Sequence, residues 1–410
     1  MTAFSGIYSS MTGLFGFSTA LDVVSDNISN LNTPGFKSNE SLFRDLGSAT
    51  GGTADQSFEQ AIGQGTYVSG QVRNFAEGQI QATGNPDNLA IDGSGFFVET
   101  LNGQQLYTRA GQFKFDTDGH LVDSVTGARV QAIDSSGKLS DLMVDQIQTS
   151  HAVPTTQVKF SGTLSTGQTD ASNNPTFTLN SIKVVDASGT SQTLTATFTL
   201  DKSNTTAGTT IWDVTVTDAN GETLTTGQQN QIRFDGTQEA QPGFDTLDII
   251  LPTANQQSSF VTLDFSDAIS NSSGTTSTLA VESADGTPEG ALTGITFDTN
   301  GIVQLAFSNG KTETGPQVAL AAFSNPAALV ESGNSTFAIP RGSDLTPTLG
   351  HSGDDGFGTL QAGSLELANV DLGQEFANII VLQRGYQGSS QVLNVASQML
   401  DTLYNALSNR

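Results

Sequence analysis

From Phe4 onward, apolar residues recur once per heptad at Ile7, Leu14, Leu21 and Ile28, while Phe4 and Met11 begin a second series that continues through the small Ser18 and Ser25. This spacing draws a seam of helical period and predicts an N-terminal amphipathic helix. The helix should stop near Asn30 to Asn32. Asn tolerates a left-handed cap, Pro34 drives Thr33 out of the α region, and Pro34-Gly35 suits a type II turn. The far end mirrors this pattern. Asp371 can cap a helix with Gln374 three residues on, and apolar residues then recur at Phe376, Ile379, Tyr386, Leu393, Ala396, Leu400, Leu403 and Leu407. A helix of ~37 residues would be about 55 Å long at 1.5 Å per residue. Gly385 and Gly388 sit inside it, where each marks either a close approach or bend, or a tolerated surface glycine.

Between the two helices the pattern switches to short β-prone runs separated by hairpin dipeptides: Asp92-Gly93, Asn102-Gly103, Asp118-Gly119, Asn220-Gly221, Asp235-Gly236, Asn300-Gly301 and Asn309-Gly310. A local echo, "FDTDGHLV" at 115–122 and "FDTNGIVQL" at 297–305, suggests that the segments flanking the middle belong to one domain. The middle, about 150–287, is richest in Thr and Ser, holds the only Trp (Trp212) and alternates cleanly, as an inserted β-domain would. "GTADQSFEQAIGQGTYVSGQV" is polar, Gly-rich and weakly periodic, and reads as an extended connector. The expected fold class is therefore mainly β with α-helical termini. It divides into a coiled-coil-like helical core domain (1–36 with 364–410), a connector (37–70), a discontinuous middle β-domain (71–149 with 288–363) and an inserted β-domain (150–287).

Charge and composition narrow the partners. The 410 residues carry 15 Lys+Arg against 41 Asp+Glu, a formal net charge of -26, so the basic surface needed for nucleic acid or anionic membranes is missing. No apolar run approaches the ~20 residues of a membrane span, which argues against membrane insertion. The first basic residue is Lys37, so the N-terminus lacks the charged start of a secretory signal. The absence of Cys excludes disulfides, thiolate nucleophiles and Cys-ligated zinc. With 44 Gly and only 14% charged residues, the chain reads as turn-dense and β-rich.

Candidate chemistry is sparse. "FDTDGH" imitates the start of a calcium loop through Asp116, Asp118 and Gly119 but lacks the downstream ligands and closing Glu, so a hairpin turn is expected. His120, His151 and His351 lie far apart, without metalloprotease spacing. Neither a nucleophile elbow nor a phosphate-binding loop is present, and "DGSGFF" suits a tight turn. No catalytic, cofactor-binding or metal-binding residue is assigned, no cofactor is expected, and an enzyme is not expected. With 41 carboxylates a secreted glycan hydrolase is the formal rival. Sequons at Asn27, Asn204, Asn271 and Asn334 are discounted as chance matches in a Ser/Thr-rich chain.

The helices themselves pose the sharper question. One thin apolar stripe cannot order a lone helix of this length, so each must find a partner. The C-terminal helix of the same chain is the obvious candidate. Both helices, however, carry apolar residues off the seam, at Phe15, Phe17, Val24, Leu31, Ile380 and Leu382, and two faces imply neighbours beyond one helix. The expected interface comprises Phe4, Ile7, Met11, Leu14, Leu21 and Ile28 at one end. At the other it comprises Phe376, Ile379, Tyr386, Leu393, Leu400, Leu403 and Leu407. The chain is thus expected to form a homopolymer, with terminal helices of many copies packed side by side.

Three stretches now resemble a known family. "LDVVSDNISNLNTPGFKS" resembles the helix-end motif of the axial proteins of the bacterial flagellum, its matching positions being Asn27, Asn30, Asn32, Pro34, Gly35 and Phe36. "NLAIDGSGFFVE" with "YTRAGQFKFDTDGHLV" resembles the start of that family's β-body, and "GSLELANVDLGQEFANIIVLQRGYQGSSQVLNVASQMLDTL" its closing helix. Within the family, rod proteins lack a large central insertion and hook proteins carry one, so 150–287 favours the hook type over a distal rod subunit. The resemblance implies a curved hollow tube with the helices innermost and the insertion outermost, acting as a universal joint between motor and filament. It also implies an extracellular location, export through the flagellar type III apparatus without a cleaved signal peptide, and contacts with distal rod, hook-capping and hook–filament junction proteins. The rival of another class is a fibrous β-rich adhesin or phage tail component that uses helical ends to oligomerise.

Overall fold

The computed structural model describes all residues except 1, 47, 50–61, 64, 135, 145–148, 205–208, 225–229, 236–238, 253–258, 272–273 and 409–410, and in addition leaves undescribed the side chains of 2–5, 48–49, 62–63, 271 and 407–408. The fold is mostly β-strand with a long helix at each end, and the chain divides into two units. The first comprises Met1–Gln146, Ile295–Gln304 and Thr314–Arg410; the second comprises Ile147–Gly294 and Leu305–Glu313.

In the first unit, helix α1 spans Thr2–Ser29 and helix α2 spans Leu372–Ser408. Asp371 accepts backbone hydrogen bonds from Gly373 (2.8 Å) and Gln374 (3.1 Å), so α2 begins with the expected cap. Strands Asn39–Asp45 and Thr66–Arg73 pair antiparallel into a ribbon with a register shift at Leu42/Phe43. The connector expected over 37–70 therefore contains paired strands, because Phe43 packs on Phe17 of α1 and gives the ribbon a surface to lie on. Much of the Gly-rich stretch between those strands lies outside the described residues.

The body of this unit is a ten-stranded sheet whose centre runs Thr336–Ala338, Gln104–Thr108, Phe96–Leu101, Arg129–Ile133. Its core gathers Phe96, Tyr107, Phe323 and Phe337 in edge-to-face contacts, such as Tyr107 on Phe323 at 4.8 Å. Two small sheets bring the returning chain back to its beginning: Thr359–Ala362 pairs with Leu89–Asp92, and Ser364–Glu366 with Ile80–Ala82. The sequence echo is a physical pair, since Phe115 and Phe297 stack at 6.3 Å with an interplanar angle of 12°. In both copies the Asp carboxylate closes its own loop. Asp116 accepts from the backbone of Asp118 and His120, and Asp298 from Asn300 and Ile302. "FDTDGH" is thus a hairpin turn with its first carboxylate occupied by backbone N–H groups.

The second unit is a β-sandwich. One sheet runs Thr246–Leu251, Ser259–Asn271, Gln157–Ser165, Ala280–Ala284, with a parallel pair at its centre; the other runs Thr176–Val185, Ser191–Leu200, Thr210–Thr217, Gln231–Phe234, wholly antiparallel. Leu194, Ala196 and Phe198 point into one core with Trp212, while Phe160 and Phe265 stack there at 4.6 Å. The alternation visible in "SQTLTATFTL" is the two-faced pleat of such a strand.

Candidate polymer interface

The end of α1 is fixed by a buried polar junction. Thr33 to Phe36 form the expected turn: Phe36 donates to the Thr33 carbonyl at 3.2 Å and Gly35 has φ +68. Only glycine fits there, because a Cβ would lie 2.3 Å from the backbone nitrogen of Ala110. Gly35 in turn donates to the carbonyl of Glu366 at 2.8 Å. Asn27, 1% exposed, works as a fork between three segments. Its Nδ2 donates to the Asn39 carbonyl (2.9 Å) and to Glu375 Oε1 (2.8 Å), while its Oδ1 accepts from the Asn39 backbone (2.9 Å). The amide thereby ties the last turn of α1 to the ribbon and to the first turn of α2.

Beneath the turn lies a buried ionic cluster. Lys37 Nζ donates to Glu366 Oε1 at 2.6 Å and to the Ala76 carbonyl at 2.8 Å; Arg109 Nη1 donates to Glu366 Oε2 at 3.2 Å. Burial pushes the Lys37 ammonium below its ordinary pKa, and the adjacent Glu366 carboxylate opposes that shift. Arg109 also donates to the carbonyls of Ile91 and Gly93. Asn369 completes the junction, accepting from the Ser38 backbone at 2.7 Å and donating to the carbonyls of Asn74 and Ala76. Both cations of the cluster pair with Glu366 and with backbone carbonyls, which is the condition for burying charge without excessive cost, and Arg109 Nε alone among their nitrogens is buried without a partner among the described residues.

Of the motif positions, Asn27, Gly35 and Phe36 are buried in this junction, and Pro34 is half-buried. Asn30 caps locally, donating to Asp26 and accepting from Thr33; Asn32 is exposed. Sequence reasoning missed Lys37, Arg109, Glu366, Asn369 and Glu375. A signal existed for Lys37, the first cation in a chain with few cations, lying directly after the turn.

The helices pack together above the junction through Phe17, Ala20, Leu21, Val24 and Ile28 on α1 and Ile379 and Leu382 on α2. This contact face coincides only in part with the expected interface. Leu21, Ile28 and Ile379 of the expected interface belong to it together with the off-seam Phe17, Val24 and Leu382, while Ile7, Leu14, Leu393 and Leu400 are half-buried and Met11, Phe376, Tyr386 and Leu403 are exposed. The reason is backbone proximity: the helices approach most closely where glycine removes a side chain. A Cβ on Gly385 would meet the Phe17 ring at 2.6 Å, and one on Gly13 would meet Ser389 Oγ at 2.9 Å. Gly388, by contrast, faces open space. The side chains of Phe4 and Leu407 lie outside the described residues.

What remains outside is unusually apolar. Phe15 and Val381 are each 67% exposed and Tyr404 is 73% exposed, with Tyr8, Ile380, Val392, Val395 and Met399 also open. On α2 the exposed Val381, Val392, Val395 and Met399 form an apolar flank beside a polar arc that carries Gln383, Gln387, Gln391, Asn394, Gln398 and Asp401, so one side of the helix suits water and the other does not. A groove of about 470 Å³ opens where α1, α2 and the ribbon meet, lined by Val23, Val24, Phe43 and Val381 on its apolar side and by Asn39, Asn74 and Asn378 on its polar side. Among the described residues no cluster of acidic or His side chains could hold a metal ion, and no described helix is long and apolar enough to cross a membrane. The geometry offers an apolar, adhesive surface along the helix pair.

Comparison with known proteins follows the same segments. Residues 7–37 match the family described as flagella basal body rod protein, 90–166 the flagellar hook protein FlgE/F/G D1 domain, and 361–406 the flagellar basal body rod FlgEFG protein C-terminal region. The chain is 29% identical to the flagellar hook protein FlgE of Borreliella burgdorferi, over 97% of this chain and 98% of that one. It is 27% identical to the flagellar hook protein FlgE of Escherichia coli, over 96% and 98%. Among solved structures, a Helicobacter pylori flagellar hook protein, FlgE2, aligns with TM-score 0.45 and 17% identity, covering 70% of this chain and 100% of that chain.

Proposed function

We infer that this chain, which belongs to the flagellar hook and rod protein family, is the structural subunit of the bacterial flagellar hook, self-assembling into a curved hollow tube that passes motor torque to the filament while bending. The observation that carries this reading is the pair of terminal helices with apolar outward faces, in a chain that aligns nearly end to end with flagellar hook proteins. Such faces are tolerable only when sister molecules cover them.

The mechanism follows from the two kinds of surface. Close-packed helices resist torsion, because well-filled interiors are stiff. The inserted sandwich presents Thr, Ser, Asn and Gln, whose contacts with neighbours are wet and exchangeable and can slide as the tube bends. Its place is outside the cell. Export runs through the flagellar type III apparatus, for which a Cys-free chain has no disulfide to reduce. Distal rod, hook-capping and hook–filament junction proteins are its partners at the two ends of the tube, and its role is mechanical, not enzymatic.

Electron microscopy of the purified protein tests the reading. Curved tubes, promoted by added salt that screens the net charge of -26, are expected. Straight rods would make the chain a distal rod subunit, and the absence of polymer under all salt conditions would return it to the adhesin class.

A further inference from the structure

Two exposed stripes on the terminal helices match each other better than either matches water. On α1, Tyr8, Met11, Phe15 and Asp22 fall within a sector of about 60° at 100° per residue, on the side away from α2. On α2, Arg384, Val392, Val395 and Met399 fall within a sector of about 80°, on a flank that α1 leaves uncovered. Each stripe is apolar towards the free end of the hairpin and turns charged towards the junction, where α1 carries Asp22 and, one turn further on, Asp26, and α2 carries Arg384, so the charges are opposite.

Asp22 and Arg384 are exposed, and neither makes an ion pair or side-chain hydrogen bond with a described residue. Arg384 is the only cation of α2, and α1 has none.

The register can be read from the contacts inside the chain. Gly13 lies level with Ser389, Phe17 with Gly385 and Asn27 with Glu375, so α2 falls by one residue for each residue gained along α1. Copies of like polarity keep α1 antiparallel to a neighbour's α2. Sliding that neighbour by about 6 Å, roughly four residues at 1.5 Å each, brings Asp22 level with Arg384 and Met11 level with Val395. The same shift sets Phe15 beside Val392 and Tyr8 beside Met399, each within one residue.

We propose that the outer face of α1 docks on the flank of α2 of a second copy in this staggered antiparallel register, locked by an Asp22–Arg384 ion pair between subunits. The proposal rests on the self-assembly reading above and names its contact. The two surfaces differ, so the contact is heterologous and repeats from copy to copy without closing as a dimer.

Because the chain has no Cys, disulfide trapping has no background. In tubes of the Met11→Cys/Val395→Cys double variant, oxidation should convert monomer into a ladder of covalent multimers. Within one chain the two positions lie on different sides of the helix pair and cannot join. Tubes that form and stay monomeric on denaturing gels overturn the register. Should the double variant fail to form tubes, charge exchange decides. Asp22→Arg and Arg384→Asp should each raise the critical concentration about tenfold or more, through like-charge contact, and the two together should restore it. Single variants that polymerise normally, or a double reversal without rescue, overturn the pair. Complete failure of the unmodified chain to polymerise overturns the self-assembly reading and the contact with it, whereas tubes without cross-link or rescue overturn the contact alone.

Discussion

The sandwich and the helical end solve the same problem in opposite ways. Among the described residues, the sandwich closes a single cluster of 22 buried side chains, Trp212 among them, whereas the cluster between the two helices has three, Ala20, Val24 and Leu382. Fully burying an aliphatic side chain is worth about 1.5–3 kcal/mol, so the sandwich has its stability inside itself and the helices must obtain theirs from outside. The difference teaches where assembly information is stored. A surface that polymerises is the unfinished core of one subunit, completed by its neighbours.

The largest way to break that contrast is to charge the unfinished core. Leu400→Asp should abolish polymerisation, since a carboxylate would enter a seam dry only in the polymer. The sandwich should melt at its normal temperature in the same variant. Loss of the sandwich transition together with the tubes would mean that the helices support the whole fold, and the contrast would fail.

Trp212→Ala reverses the experiment. It should cost the sandwich about 3–5 kcal/mol, read by denaturant unfolding, because the site is fully enclosed and Trp212 Nε1 also donates to Ser270 Oγ. Limited proteolysis of dilute monomer should then cleave the sandwich as readily as the terminal helices, which the unmodified monomer is expected to lose first. A variant whose sandwich stays protease-resistant would show that its core is less cooperative than its packing implies.

A smaller effect is expected at the junction that ties the helices to the strands of the first unit. Lys37→Met should cost about 3 kcal/mol in the first unit, the lower end for breaking a buried pair, because Glu366 keeps Arg109 and the Gly78 backbone as partners. Tubes should still form, with weaker resistance to heat. Unchanged melting would indicate that the cluster sets direction without adding stability.

The sequence revealed these regions unequally, for physical reasons. Helix ends were legible because their signals are local: Pro34-Gly35 after α1 and Asp371 before α2 act within four residues. Hairpins were legible likewise, through Asp-x-x-Gly turns such as that at Asp298. The junction was not, because Lys37, Arg109 and Glu366 are brought together by the return of the chain through paired strands, and no periodicity announces such a meeting. The contact between the two helices of one chain, which joins Leu21, Ile28 and Ile379 of the expected interface to Phe17, Val24 and Leu382, was only partly legible for a related reason. A heptad count weighs apolar side chains, whereas the true approach is set by Gly13 and Gly385, where side chains are absent.

The finest test separates the two units by the sign of their response to pH. In the first unit, Glu99 is fully buried in the sheet and neither carboxylate oxygen has a hydrogen-bond partner among the described residues. Burial, aided by the nearby Asp123 charge, pushes its pKa up to about 9. The unfolded chain releases this proton near the ordinary value of about 4.5. Between those values the native state therefore holds more protons, and stability falls as pH rises, by at most about 1.4 kcal/mol per pH unit. In the sandwich, burial acts to raise the pKa of Asp186, but hydrogen bonds from Ser188, Thr190 and Gln192 outweigh it and hold the group below the usual range. Its contribution is present above about pH 4 and is lost as pH falls through the native value. Melting followed from pH 5 to 9 should show the first unit weakening while the sandwich stays level. Glu99→Gln, neutral at every pH, should flatten the first unit's curve as well. If the variant and the unmodified chain keep the same slope, the buried acid is not its source, and the weakening must come from general repulsion in a chain of net charge -26.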